Sequence, residues 1–162
     1  MASSADEERL AAAAGQALKT RGFDLAVAES CTGGLLAGAI TAAPGSSEYF
    51  KGGIVSYANE VKEALLGVPA SVLLTDGAVS EPVARAMAEG VRRCMDTAVG
   101  VGVTGVAGPS GGSLEKPVGL VYVAVVTPLE TRVRQDVWAG DRSQIRTASV
   151  RAALELLIES LG

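Results

Sequence analysis

Histidine is absent from all 162 residues of the chain. That absence excludes a Ser-His-Asp triad, an HExxH zinc site and any imidazole general base within one chain. Cysteine is nearly absent too: Cys31 and Cys94 are too few for a disulfide scaffold and, without histidine, make a poor zinc site. Aromatic residues make up only 4% of a chain that is 48% hydrophobic, so the core must be built from Ala, Val, Leu and Ile. There is no basic block, and the formal charge of -4 lacks the electrostatic footprint of a nucleic-acid binder. The opening SSADEER is acidic, unlike a secretory signal, and no apolar run is long enough to span a bilayer. What remains is the expectation of a soluble, cytoplasmic protein with reduced thiols and no membrane or nucleic-acid partner. Its length suits one domain over residues 1–162.

What the chain does have is glycine, 20 of them, several in short runs that suit close approach of backbone to a ligand. Ser4 to Glu7 has capping-box spacing ahead of a helix that Gly22 closes. A short strand is expected over 23–28, and a helix over 35–44 stopped by Pro44. A second strand is expected over 52–57, followed by a helix capped by Asn59 and closed by Gly67. Ser80 and Pro82 precede a helix whose Val83, Met87 and Val91 share a face. Strands follow over 96–105, 119–127 and 131–138, the last two joined as an antiparallel hairpin. Arg132, Arg134 and Asp136 on one face of the last strand suggest a solvent-washed edge, and Asp141 caps a final helix. The alternation predicts an α/β layered domain with a mixed sheet.

Residues 100–105 fit G-x-G-x-x-G on paper, but they lie inside a strand and open no helix, so the dinucleotide reading fails its context test. AESCTGG (28–34) has better context. A strand ends, the chain turns, and Cys31, Thr32, Gly33 and Gly34 lead into a helix with free N–H donors that suit a phosphate or an oxyanion. The plain alternative is that Ser30 or Thr32 merely caps that helix. SYANEVK (56–62) sets Tyr57 at a strand end and Lys62 near a helix start, where carboxyl ends of strands converge on one crevice. Only four lysines exist, and without histidine a desolvated, neutral Lys62 is a natural base for the Ser30 hydroxyl. An exposed lysine is the ordinary alternative. The loop from Thr104 to Gly119 is long enough to suggest function; Lys116 and its backbone amides form one candidate anion site, and Arg142 at the final helix start another.

Taken in order, AESCTGG, PGSSEYFKGGIVSYANEVKEALLGV, GAVSEPVARAMA, VTGVAGPSGGSLEKPVGLVYVAV and GDRSQIR resemble the CinA C-terminal domain family, over about residues 26–146. The extent of the match resembles the stand-alone form of the domain. The resemblance implies a three-layer α/β/α fold with a mixed, mostly parallel five-stranded sheet, often in a homo-oligomer. It implies hydrolysis of the carboxamide of nicotinamide mononucleotide to nicotinate mononucleotide and ammonia, with no metal and no organic cofactor. Ser30 matches the proposed nucleophile, and Tyr57 and Lys62 the residues that activate it. Cys31, Thr32, Gly33, Gly34, Asn59, Thr104, Gly105, Ser110, Gly111, Gly112 and Arg142 are the expected substrate-binding positions. Two alternatives stand beside this reading: Cys31 as the nucleophile, and a non-catalytic nucleotide-binding or competence- and DNA-damage-associated module of the same fold.

Overall fold

The structure is a computed structural model that describes residues 4–162. Its centre is one five-stranded sheet of order β2-β1-β3-β4-β5, with β1 Leu25–Glu29, β2 Phe50–Val55, β3 Val99–Gly105, β4 Leu120–Val126 and β5 Thr131–Val137. β1 pairs in parallel with both β2 and β3, whereas β3–β4 and β4–β5 are antiparallel. Four strands therefore point one way and β4 alone runs against them.

Six helices cover the two faces: α1 Ser4–Arg21, α2 Leu35–Ala42, α3 Asn59–Leu66, α4 Ala70–Asp76, α5 Glu81–Met95 and α6 Arg142–Leu161. α1, α2 and α6 pack on one another on one side, and α5 lies across β1, β3 and β4 on the other with α3 and α4 against it. Strand alternation decides which side chains meet which layer. Leu25, Val27, Val99, Val101 and Val103 join α1, α2 and α6, while Ala26 and Ala28 join Val83, Met87 and Val91 of α5. In β3 the residues between those valines are glycines. A Cβ on Gly102 would lie 2.5 Å from the Ala84 carbonyl oxygen and 2.8 Å from the Ala88 nitrogen. Gly100 and Gly102 thus let the α5 backbone rest directly on the sheet.

Most expected element ends agree with their physical signals. Ser80 accepts from the Val83 N–H at α5, and Asp141 and Gln144 form a capping box at α6. Three expectations are corrected. Ala58 is the residue before α3, so Asn59 is its first residue and caps nothing. Ser4 is already within α1, and the residues before it lie outside the described residues. The charged face of β5, an edge strand, is washed by solvent only in part: Arg132 is exposed, whereas Arg134 and Asp136 are half-buried where α6 meets Arg134. Arg134 bonds Asp136 at 2.6 Å and Glu155 of α6 at 2.8 Å, and its guanidinium lies 5.7 Å from the Trp138 ring centre. α4 was not anticipated, being short and without a periodic apolar stripe. No described helix is long and apolar enough to cross a membrane.

This topology sets the site. The connections from β1 leave for opposite faces of the sheet, through α2 to β2 and, from β2, through α3, α4 and α5 to β3. A crevice therefore opens beyond the carboxyl end of β1. Because β4 is reversed, the 106–119 loop sits at that same end, and β5 delivers the start of α6 to it.

Candidate active site

A cleft of about 380 Å³ lies at that switch point. Ser30, Cys31, Tyr57, Asn59, Lys62, Thr104, Gly105, Ser110, Gly111 and Arg142 line it, together with Ala78, Val79, Val106, Ala107 and Gly108. Ten of the fourteen expected site residues are thereby brought to one place. Thr32, Gly33, Gly34 and Gly112 are not in the lining: the first three form the turn behind Cys31, and Gly112 packs against Val118, whose nitrogen lies 2.8 Å from where its Cβ would be. Lys116 also leaves the site, its ammonium donating to the Asp76 carbonyl at the end of α4.

Ser30 directly follows β1, its N–H bonded to the Val103 carbonyl of β3 at 3.0 Å. Its hydroxyl is not spent on capping α2. That task falls to Glu29, whose carboxylate oxygens accept from the Leu36 and Ala37 N–H groups at 2.9 and 3.1 Å. Glu29 is buried, and a carboxylate on the first turn of a helix satisfies orphan amides and the helix dipole together. Two consequences follow. The Ser30 hydroxyl is free for other work, and the α2 terminus is already occupied by an anion.

The Ser30 hydroxyl instead meets Lys62, with Nζ 2.9 Å from Oγ. Lys62 sits in the second turn of α3, is 1% exposed, and places the same Nζ 2.7 Å from the Ser56 carbonyl and 3.2 Å from that of Tyr57. No carboxylate among the described residues forms an ion pair with it. Burial pushes its amine below the ordinary lysine value of 10.5. As an ammonium Lys62 has three N–H donors for these three oxygens; once deprotonated it keeps two N–H groups for the carbonyls, which only accept, and its lone pair can then turn to the Ser30 hydroxyl. Cys31, the neighbouring candidate, is 5% exposed, and burial raises its thiol to about 11. It is a thiol at neutral pH.

Tyr57 is 61% exposed at the rim. Its hydroxyl accepts from Arg142 Nη2 at 3.0 Å, and Arg142 Nη1 donates to the Gly108 carbonyl at 2.8 Å. The path from Lys62 to Ser30 is therefore direct, and Tyr57 contributes its carbonyl to the lysine and its ring to the cleft wall. Thr104 is buried at the end of β3 with its hydroxyl on the Ala78 carbonyl at 2.7 Å. A Cβ on Gly105 would stand 3.2 Å from the Cys31 sulfur, so that glycine leaves room for the turn.

With this geometry in hand, the chain can be set beside known proteins. A family model described as the CinA C-terminal domain matches residues 7–161. This chain belongs to the CinA C-terminal domain family. A CinA-like protein of Gloeobacter violaceus is 53% identical over 94% of the chain. That match takes in 36% of the relative, so the chain spans little more than a third of the length of such curated relatives. Among solved structures, the competence/damage inducible protein CihA from Agrobacterium tumefaciens superposes with a TM-score of 0.92 at 43% identity, covering 95% of this chain and 94% of that one. A CinA superfamily protein from Escherichia coli gives 0.93 at 34% identity, covering 99% and 94%. The three-layer fold with its mixed sheet is the fold of these CinA proteins.

Proposed function

We propose that this CinA domain hydrolyses the carboxamide of nicotinamide mononucleotide, with Ser30 as nucleophile and Lys62 as its base. The observation that carries the proposal is the buried Lys62 nitrogen, 2.9 Å from Ser30 Oγ and also within hydrogen-bond distance of the Ser56 and Tyr57 carbonyls. The Lys62 lone pair takes the Ser30 proton as Oγ bonds to the carboxamide carbon. Amides of the Cys31–Gly34 turn receive the negative charge that develops on the carboxamide oxygen. The Lys62 ammonium returns the proton to the departing nitrogen, the C–N bond breaks, and ammonia leaves an ester on Ser30. Water, deprotonated by Lys62, then cleaves that ester to nicotinate mononucleotide and restores the hydroxyl. A neutral Lys62 also suits the substrate, because an ammonium would oppose the pyridinium charge.

The phosphate belongs at the far side of the cleft. The α2 terminus is filled by Glu29, whereas Arg142 reaches the rim and the N–H groups of Ser110 and Gly111 have no acceptor among the described residues. The test is ammonia release by wild type and Ser30→Ala with nicotinamide mononucleotide. Wild type is expected to release ammonia and the variant to lose turnover while keeping its melting temperature. Full turnover by Ser30→Ala removes the serine mechanism, and nucleotide binding by wild type without ammonia supports the non-catalytic module instead.

A further inference from the structure

Gly105 ends β3, and the hydrogen-bond ladder fixes which way its N–H points. On one side of the strand, the Val103 carbonyl takes the Ser30 N–H at 3.0 Å. On the other, Val106 donates to the Leu120 carbonyl at 2.9 Å. Successive residues of a strand present their backbone groups to alternate sides. Gly105, two residues past Val103 and opposite Val121, therefore turns its N–H away from β4 and towards the line of β1. A regular parallel ladder would give it the Ser30 carbonyl, but that carbonyl takes the Gly33 N–H at 3.1 Å. The Gly105 N–H is left without an acceptor among the described residues, just beyond the nucleophile. Gly105 is partly exposed and lines the cleft with Ser30. A backbone donor orphaned in such a place is met by water or by a ligand.

Of the turn after Ser30, only Cys31 lines the cleft, and its N–H also has no acceptor among the described residues. The two residues adjoin, since a Cβ on Gly105 would stand 3.2 Å from the Cys31 sulfur. One donor thus follows the nucleophile along the chain, and the other lies beside it on the next strand. We propose that the Gly105 N–H, together with that of Cys31, donates to the carboxamide oxygen as it becomes an oxyanion. This rests on the amidase reading above and gives β3 a part in the chemistry.

The experiment exchanges the Thr104–Gly105 amide for an ester, which puts oxygen in place of this N–H. Cys94 is exposed and suits ligation of a synthetic 94–162 segment to a 1–93 thioester. The refolded chain is compared with semi-synthetic wild type for kcat, KM, pH–rate inflection and melting temperature with nicotinamide mononucleotide. Loss of an oxyanion donor is expected to lower kcat by about 10²–10³ with KM and the inflection nearly unchanged. The ester also weakens the Thr104 carbonyl, which accepts from Tyr122. An Arg132–Val133 ester is the matched control: it weakens a carbonyl bonded to β4 and removes an N–H that faces outward from the β5 edge. That control should keep kcat within about twofold. A Gly105 ester within about twofold of wild type, a loss residing in KM, or an equal loss in the control overturns the assignment. If the Gly105 ester does not fold, the amide proton spectrum of wild type decides. Saturating nicotinate mononucleotide, whose carboxylate stands in for the oxyanion, should move the Gly105 proton downfield, and a Gly105 proton that stays in place overturns the assignment. A wild type that releases no ammonia overturns the amidase reading and this assignment together. An active protein indifferent to the Gly105 ester overturns the assignment alone.

Discussion

Replacing Lys62 by Met separates its electrostatic cost from its chemical use. Methionine nearly preserves the stem, so the packing around it changes little. What disappears is the amine that donates to the Ser56 and Tyr57 carbonyls and meets Ser30. The buried Ser56 carbonyl loses a donor, at about 1–3 kcal/mol, while the Ser30 hydroxyl can turn to cleft water. Against that loss stands the removal of a buried cationic group. The fold lowers the Lys62 pKa below 10.5, so between the folded and unfolded values the unfolded chain holds a proton that the native one does not. Wild-type stability must then rise with pH in that window, by up to about 1.4 kcal/mol per pH unit, and the lysine costs most at and below the folded value. Lys62→Met lacks this slope. Urea unfolding of both proteins at several values between about pH 7 and 10 should show the variant's relative stability falling as pH rises. Ammonia release should fall by about 10²–10⁴, the usual worth of a general base. The wild-type rate should rise with pH to an inflection below the ordinary lysine range. A stability difference that stays flat with pH, together with an inflection near 10.5, refutes the reasoning.

Gly102→Ala should lower stability by about 1–3 kcal/mol, because the new methyl meets helix backbone that has no rotamer to yield. A melt followed by circular dichroism should register about 2–4 °C for each kcal/mol. Iodoacetamide should label the exposed Cys94 and spare Cys31, whose thiolate fraction at neutral pH is about 10⁻⁴; mass spectrometry of the peptides reads the site, and turnover should survive. Arg142→Ala should raise KM for nicotinamide mononucleotide by about ten- to a hundredfold, the worth of a hydrogen bond to a charged group, with kcat little changed. The same variant should act on nicotinamide riboside, which has no phosphate, as wild type does.

The site was legible where chemistry is written locally. AESCTGG and SYANEVK each end a strand, and strands paired in parallel with β1 must bring Ser30, Tyr57 and Lys62 to one crevice. The 100–105 glycines were recognisable as strand residues because alternation continued through them and no helix followed. Glu29 was not legible as the cap of α2, since its amide partners lie seven and eight residues on and a strand residue seldom caps the next helix. Arg146 reads in sequence as an ordinary helix arginine, whereas it donates to the Cys31 and Thr32 carbonyls, 115 and 114 residues away. Asn59 shows the converse: a good capping residue next to a helix start, displaced by one position into the helix and left facing the cleft.

The most direct measurement catches the covalent intermediate. Wild type is mixed with nicotinamide mononucleotide, quenched in acid during turnover, and digested for mass spectrometry. The expected result is a nicotinate mononucleotide acyl group on Ser30, absent from Ser30→Ala and accumulating when Lys62 is replaced by a weaker base that slows deacylation more than acylation. An acyl group on Cys31, or ammonia released with no adduct at any time, contradicts Ser30 as the nucleophile.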